Sequence, residues 1–210
     1  NAVIENGVAI DDVIPSPIAA STVTLSNVQK MAGCVLANIG SETTSLVVFE
    51  EKIPISIRVF PIGSTDITND IALGLKISLE EAERIKTGIE EPNATKKKLD
   101  EIIDARLSDM FELIEAHLKK IGRNGLLPAG IILTGGGSSI PDIDSLAKHA
   151  LKLPARIGTP ENGFNVRSQV SDPSWAVAYG LCILGNREEE EGGSGALLTS
   201  TKNYFVKCFF

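Results

Sequence analysis

The chain has 210 residues, 43% hydrophobic and 22% charged, which is enough apolar material to bury a core as one domain or two small ones. A formal net charge of −7 with a pI near 5.0 argues against nucleic acid as a partner, because phosphate-backbone binding needs a cationic face. No apolar stretch reaches the length of a membrane span and the amino end lacks a leader pattern, while Cys34, Cys182 and Cys208 stand in no paired motif, so a reducing, cytoplasmic setting without structural disulfides is expected.

Residues 2–14 read as the end of a helix followed by a connection, and with Asn1 in first place the chain reads as a segment cut inside a larger fold. Strands are predicted at 33–39, 45–50 and 54–60, the last with β-branched Ile55, Ile57 and Val59 on alternate positions. Between the first two lies the polar turn Gly40-Ser41-Glu42-Thr43-Thr44-Ser45. Small residues between two strand ends leave backbone N–H groups for anionic oxygen, the outline of a phosphate-holding hairpin. Pro61-Ile62-Gly63-Ser64 breaks the sheet and opens a helix to about residue 75. Ser78 three residues before Glu81 makes a capping box for a helix that stops at Gly88.

The triplet Lys96-Lys97-Lys98 reads as a solvated loop before a long amphipathic helix over 99–121, whose apolar positions are Ile103, Leu107, Met110, Ile114 and Leu118. A buried-looking strand at 131–134 ends in Gly135-Gly136-Gly137-Ser138-Ser139, so two strand-to-glycine turns suggest a cleft lined from two sides. Helices follow near 143–151 and 174–184, the second framed by Asp172-Pro173 and Gly185. His117 and His149 lie on different helices without a ligand-spaced partner and read as structural, and Cys34 and Cys182 sit in apolar runs and read as inert core residues. Zinc spacing, a serine nucleophile elbow and a Walker loop are all lacking. After an acidic block and Gly192-Gly193-Ser194-Gly195, four of the ten aromatic residues (Tyr204, Phe205, Phe209, Phe210) crowd the carboxyl end. On a helix, Phe205 and Phe209 share a face with Leu198 and oppose Lys207; as a strand, Tyr204, Val206, Cys208 and Phe210 alternate.

The combination Asn38-Ile39-Gly40-Ser41-Glu42-Thr43-Thr44-Ser45, Phe60-Pro61-Ile62-Gly63, Thr68-Asn69-Asp70-Ile71-Ala72-Leu73-Gly74-Leu75 and Glu80-Glu81-Ala82-Glu83-Arg84-Ile85-Lys86 resembles, in order and spacing, the FtsA family of bacterial actin-like cell-division proteins. Leu133-Thr134-Gly135-Gly136-Gly137-Ser138 is similar to the adenosine-binding turn of the wider actin and sugar-kinase superfamily, and Asp172-Pro173-Ser174-Trp175-Ala176-Val177-Ala178-Tyr179-Gly180-Leu181 to its last helix. The resemblance implies an α/β, actin-like (ribonuclease H-like) fold, second half: a mixed sheet flanked by helices plus a small helical/β subdomain. It implies a remnant of the first half over 1–32, a nucleotide-binding sheet subdomain over 33–62 and 131–185, a capping subdomain over 63–130, a linker over 186–195 and a membrane-targeting tail over 196–210.

ATP is the implied ligand, with Asn38, Gly40, Thr43 and Thr44 toward the phosphates, Glu83 and Lys86 toward the ribose and base, and Gly135, Gly136, Gly137 and Ser138 against the adenosine. Read without the resemblance, Glu83 and Lys86 are an ordinary i,i+3 ion pair. The turn departs from the family at Asn38, Ser41, Glu42 and Ser45. Neutral Asn38 neither attracts Mg²⁺ by charge nor accepts a proton from water, so little or no ATP turnover and a doubtful Mg²⁺ site are expected. Glu42 would repel a phosphate about 6 Å away by roughly 3 kcal/mol at an effective dielectric of about 20, unless it points aside.

The implied work is self-assembly and tethering of the FtsZ ring to the inner face of the membrane at the division site, with the FtsZ tail docking on 63–130 and Leu198, Phe205, Val206, Phe209 and Phe210 entering lipid. An actin-like assembly ATPase of a type IV pilus or cell-shape system is the alternative. A sugar kinase would need a catalytic carboxylate and a sugar pocket from sequence beyond this chain.

Overall fold

The structure is a computed structural model that describes residues 2–7, 9–10, 12–92, 96–160 and 171–191. Its centre is a mixed sheet of β1 (Cys34–Ile39), β2 (Thr44–Glu50), β3 (Ile53–Phe60), β4 (Ile131–Thr134) and β5 (Ala155–Ile157), in the order β3-β2-β1-β4-β5. β1, β2 and β3 form an antiparallel meander, whereas β4 and β5 add in parallel beside β1. Parallel pairing needs a crossover connection, and the long excursion from β3 to β4 supplies it as helices.

Because side chains alternate along a strand, the sheet buries two apolar faces. Val35, Ala37, Ile39, Leu46, Val48, Ile131 and Leu133 face α4 (Ser64–Leu75), α6 (Lys96–Lys120) and α7 (Ile143–Leu151), through Ile67, Ile71, Leu107, Met110, Phe111, Ile114 and Ala147. Leu36, Val47, Phe49 and Ile132 face the other way, against Ala20 and Val23 of α2 (Ser16–Thr24) and Ala176 of α8 (Ala176–Glu191). Such two-sided cover explains why β1, β2 and β4 read as nearly unbroken apolar runs. Gly180 lets α8 meet α2 closely, since a Cβ there would lie 2.0 Å from the Ala19 carbonyl oxygen.

Helices α5 (Leu79–Lys86) and α3 (Asn27–Ala32) begin at serine caps: Ser78 Oγ accepts from the Glu81 N–H and Ser26 Oγ from the Gln29 N–H. The reciprocal bond of a capping box is made at Ser26, whose N–H donates to Gln29 Oε1, and not at Ser78, where the sequence predicts the box. A short α1 (Ala2–Glu5) precedes them all. Residues 63–130 contribute α4, α5 and α6, and among the described residues no strand falls within that stretch. Arg106 of α6 holds Asp70 of α4 through two hydrogen bonds of 2.6 and 2.9 Å, fixing these helices against each other.

Three local expectations need correction. Lys96, Lys97 and Lys98 form the first turn of α6, not a loop; lysine is a good helix former, and that propensity prevails over the unfavourable placement of cations at a helix amino end. Gly185 does not end the last helix, which starts after a short 3₁₀ turn (Pro173–Trp175) capped by Asp172 and runs to Glu191. A glycine inside a helix costs about 1 kcal/mol, and the Arg and Glu residues beyond it favour continuation. Cys182 is exposed, whereas Cys34 is buried and its thiol is pushed up to about 11 by burial. Position 182 lies two residues, more than half a turn, from the Gly180 contact with α2.

Candidate functional site

β1 and β4 run parallel as neighbours, with Asn38 level with Thr134, so the turns that follow them open at the same edge of the sheet. The carboxyl ends of strands are where open α/β sheets bind ligands.

The turn after β1 is closed by the Gly40 N–H, which donates to the Thr43 carbonyl at 2.9 Å. Ser41, Glu42 and Thr43 are exposed, and their N–H groups donate to no backbone carbonyl among the described residues. The first turn of α4 clamps this loop from behind: the N–H groups of Ser64 and Thr65 donate to the carbonyls of Gly40 and Ser41, each at 2.9 Å. The clamp needs glycine at position 63, where a Cβ would lie 2.2 Å from the Ser41 carbonyl oxygen. Thr44 is fully buried and donates its hydroxyl proton to the Ile62 carbonyl at 2.8 Å, holding the turn rather than facing outward. Glu42 is drawn toward α4, where its Oε1 accepts from Thr65 Oγ1 at 3.2 Å. Asn38 donates from Nδ2 to Ser45 Oγ at 3.4 Å, and Ser45 Oγ lies 3.3 Å from Ser16 Oγ.

The turn after β4 packs on that same strand end. Gly135 has φ +84°, and a Cβ would come within 2.5 Å of the Ile39 carbonyl oxygen and 2.6 Å of Asn38 Oδ1. At Gly137 a Cβ would lie 2.4 Å from Ile39 Cγ2, but at Gly136 the nearest atom is 4.0 Å away. Gly135 and Gly137 thus seat the turn on β1, and Gly136 is the exposed member. Ser138 is buried and donates from Oγ to the Gly135 carbonyl at 2.7 Å.

On α5, Glu83 and Lys86 form an ion pair of 2.7 Å whose members differ in exposure: the Lys86 side chain is 8% exposed and that of Glu83 50%. Lys86 Nζ also donates to Thr68 Oγ1 at 2.8 Å and to the Ser64 carbonyl at 3.1 Å. Thr68 in turn donates to Glu83 Oε2 at 2.5 Å. Burial tends to raise the Glu83 carboxyl, but hydrogen bonds from Lys86 and Thr68 and the Lys86 charge outweigh it and hold it below the ordinary range.

Glu83, Lys86, Gly136 and Gly137 line one cleft of about 870 Å³, together with Leu99 and Ile103 of α6 and Leu146 of α7. The cleft joins the glycine turn after β4 to α5, so of the two strand-to-glycine turns expected to line it from two sides only the second does. Asn38, Gly40, Thr43 and Thr44 are at the neighbouring turn and are not among the residues that line this cleft, nor are Gly135 and Ser138. Leu198, Phe205, Val206, Phe209 and Phe210 lie outside the described residues. Sequence reasoning missed Asp100, Asp104 and His149, which also line the cleft. They sit on helices whose periodicity reports only a wet face, and no local signal distinguishes a wet face from a cleft wall. His117 does serve structure: its Nε2 is 2.9 Å from Ser56 Oγ and its ring meets Phe60 edge-on.

A family model described as "Cell division protein FtsA" matches residues 35–180. Among curated relatives, the chain is 29% identical to "Cell division protein FtsA" of Pseudomonas aeruginosa, over 90% of this chain and 50% of the relative. It is 32% identical to the protein of that name in Bacillus subtilis, over 83% of this chain and 43% of the relative. The chain spans about half the length of the curated relatives it matches. Among solved structures it is similar to MreB5 of Spiroplasma citri bound to ADP, with a TM-score of 0.75 at 18% identity over 93% of this chain and 66% of that one. It is also similar to the PilM-PilN type IV pilus biogenesis complex, with a TM-score of 0.69 at 24% identity over 88% of this chain and 55% of that one. These two likenesses establish the fold, which is actin-like.

Proposed function

The chain belongs to the FtsA family of actin-like cell-division proteins, and from that premise we propose that it binds ATP at this cleft, self-assembles and tethers the FtsZ ring to the cytoplasmic membrane. The observation that carries the nucleotide reading is the pairing across one cleft of an ionised, half-exposed Glu83 with the exposed backbone of Gly136. A carboxylate only accepts hydrogen bonds, so it suits the two hydroxyls of a ribose, and a bare glycine backbone suits the close approach of a flat base. Beside them, the N–H groups of Ser41, Glu42 and Thr43 suit phosphate oxygens.

Mg²⁺ fits the neighbouring turn poorly. Asn38 offers only an uncharged amide oxygen there, while the Glu42 carboxylate is held by Thr65. With no carboxylate at position 38 to activate water, the nucleotide acts as an assembly ligand with little or no turnover. The FtsZ tail docks on the helices of 63–130, and residues 196–210, outside the described part, supply the membrane tether. The family match at 35–180 favours this reading over the pilus or cell-shape assembly alternative, because the likeness to PilM and MreB5 is one of fold alone.

Calorimetric titration with adenosine, ADP and ATP tests the site. Saturable binding of all three is expected, with Glu83→Gln weakening adenosine at least fivefold. No heat from any of them, or equal adenosine binding by the variant, would remove the basis for the reading.

A further inference from the structure

We infer that Asp100 and Asp104 of α6 read the base: they accept hydrogen bonds from the exocyclic amine of adenine, so that the cleft selects a 6-aminopurine over a 6-oxopurine. The inference deepens the nucleotide reading above and rests on it. Glu83 and the glycine turn supply only part of the cleft; α6 lends a further wall through Lys96, Leu99, Asp100, Ile103 and Asp104. Spacings of three and four residues put these side chains on one face of the helix. Asp100 and Asp104 stand seven residues, about two turns, before Leu107 and Phe111, which are buried in the core. The face that meets the core farther along α6 therefore meets the cleft in its first turns, and there it carries two carboxylates.

Both aspartates are exposed in that open cleft. On the same helix Glu101 pairs with Lys97, Asp109 with Arg106 and Glu115 with Lys119, whereas Asp100 and Asp104 make no hydrogen bond or ion pair among the described residues. A carboxylate only accepts. The 6-amino group of adenine offers two N–H donors and is bound, but the 6-carbonyl of hypoxanthine offers only lone pairs and is repelled. Apolar Leu99 and Ile103 of α6 and Leu146 of α7 line the cleft beside them and suit the faces of the ring. With Glu83 accepting from the ribose, the nucleoside is held at both ends by groups that only accept, each matched to donors on the ligand.

The test is calorimetry on the full-length protein with three uncharged nucleosides, which separate base recognition from phosphate binding. They are adenosine, inosine, which carries the 6-carbonyl, and purine riboside, which has no 6-substituent. Adenosine is expected to bind at least about tenfold more tightly than inosine. Asp100→Asn and Asp104→Asn keep the shape of the side chain but add an N–H donor. At least one of them, and the double variant most, is to lower the preference for adenosine over inosine at least about fivefold. Purine riboside is to bind the protein and the variants alike, because it has no amine to lose. Equal affinity for adenosine and inosine in the unmodified protein overturns the proposal, as does a preference that all three variants leave unchanged. Proportional weakening of all three nucleosides, the sign of a merely structural role, overturns it too. Binding of adenosine without the expected effects removes the base assignment alone, and absence of binding by any nucleoside removes the nucleotide reading with it.

Discussion

Three consecutive glycines invite the assumption that they do one job, and the structure gives them different ones. Gly135→Ala places a side chain on a backbone at φ +84°, and sets its Cβ 2.5 Å from the Ile39 carbonyl oxygen and 2.6 Å from Asn38 Oδ1. The left-handed backbone costs about 1–2 kcal/mol. Displacing a buried strand end to make room adds about 1–3 kcal/mol. Gly136→Ala meets nothing nearer than 4.0 Å on an ordinary backbone, and its cost is below about 0.5 kcal/mol. Urea unfolding followed by circular dichroism separates the two, with losses of about 2–5 kcal/mol expected for Gly135→Ala and almost none for Gly136→Ala. Adenosine titration is to show the complement: Gly136→Ala weakens binding severalfold while the fold stays intact, because a methyl group projects where the base approaches. Equal stability losses for the two variants would refute the division of labour. So would full stability of Gly135→Ala.

Other outcomes follow from single contacts. Glu42→Gln removes a negative charge from the turn and is expected to tighten ATP about fivefold at low salt, with adenosine unaffected and the gain shrinking as salt is added, as calorimetry would show. Burial first, and then the charges of Arg58 and Lys120, hold the His117 imidazole below its ordinary value. The unfolded chain therefore takes up the proton before the folded one, so stability falls as pH drops from about 6.5 toward the lowered value, and His117→Gln is to flatten that slope in urea titrations at pH 7.5 and 5.5. If the tail enters lipid as proposed, about five apolar side chains half buried at about 2 kcal/mol each would give roughly 5 kcal/mol before the cost of ordering, enough only for reversible attachment unless protomers are joined. Phe205→Glu combined with Phe209→Glu is expected to abolish co-sedimentation with liposomes, and undiminished binding would count against a lipid-inserting face.

Where structure is dictated locally, the sequence was a sufficient guide. The first three strands, the serine cap at Ser78, the start of α4 after Gly63 and the strand at Ile131–Thr134 all appear where alternation, capping chemistry and glycine breaks place them. The short β5 and the helices α2 and α3 were not legible. β5 is only three residues long, too short to show an alternation, and its strand partner among the described residues is β4, and α2 is apolar without a clean stripe because it is enclosed between the sheet and α8. The site divides along the same line. Glu83, Lys86 and the glycine turn could be picked out by spacing and resemblance, but not that Lys86 would be nearly buried with three acceptors, or that Thr44 would be turned inward to Ile62. Those facts depend on how α4 docks on the turn, and no short-range pattern encodes that docking. The helix continues past Gly185 because a glycine stop is only a tendency, and a Cβ at that position would meet nothing within 4 Å.

The central claim is that adenosine sits between α5 and the glycine turn. Hydrogen exchange on the full-length protein with and without saturating ATP tests it most directly. Slower exchange at 135–138 and along α5 around Glu83 and Lys86, with the outer strand β3 unchanged, is the expected result. Equal exchange at both places with and without nucleotide would contradict it.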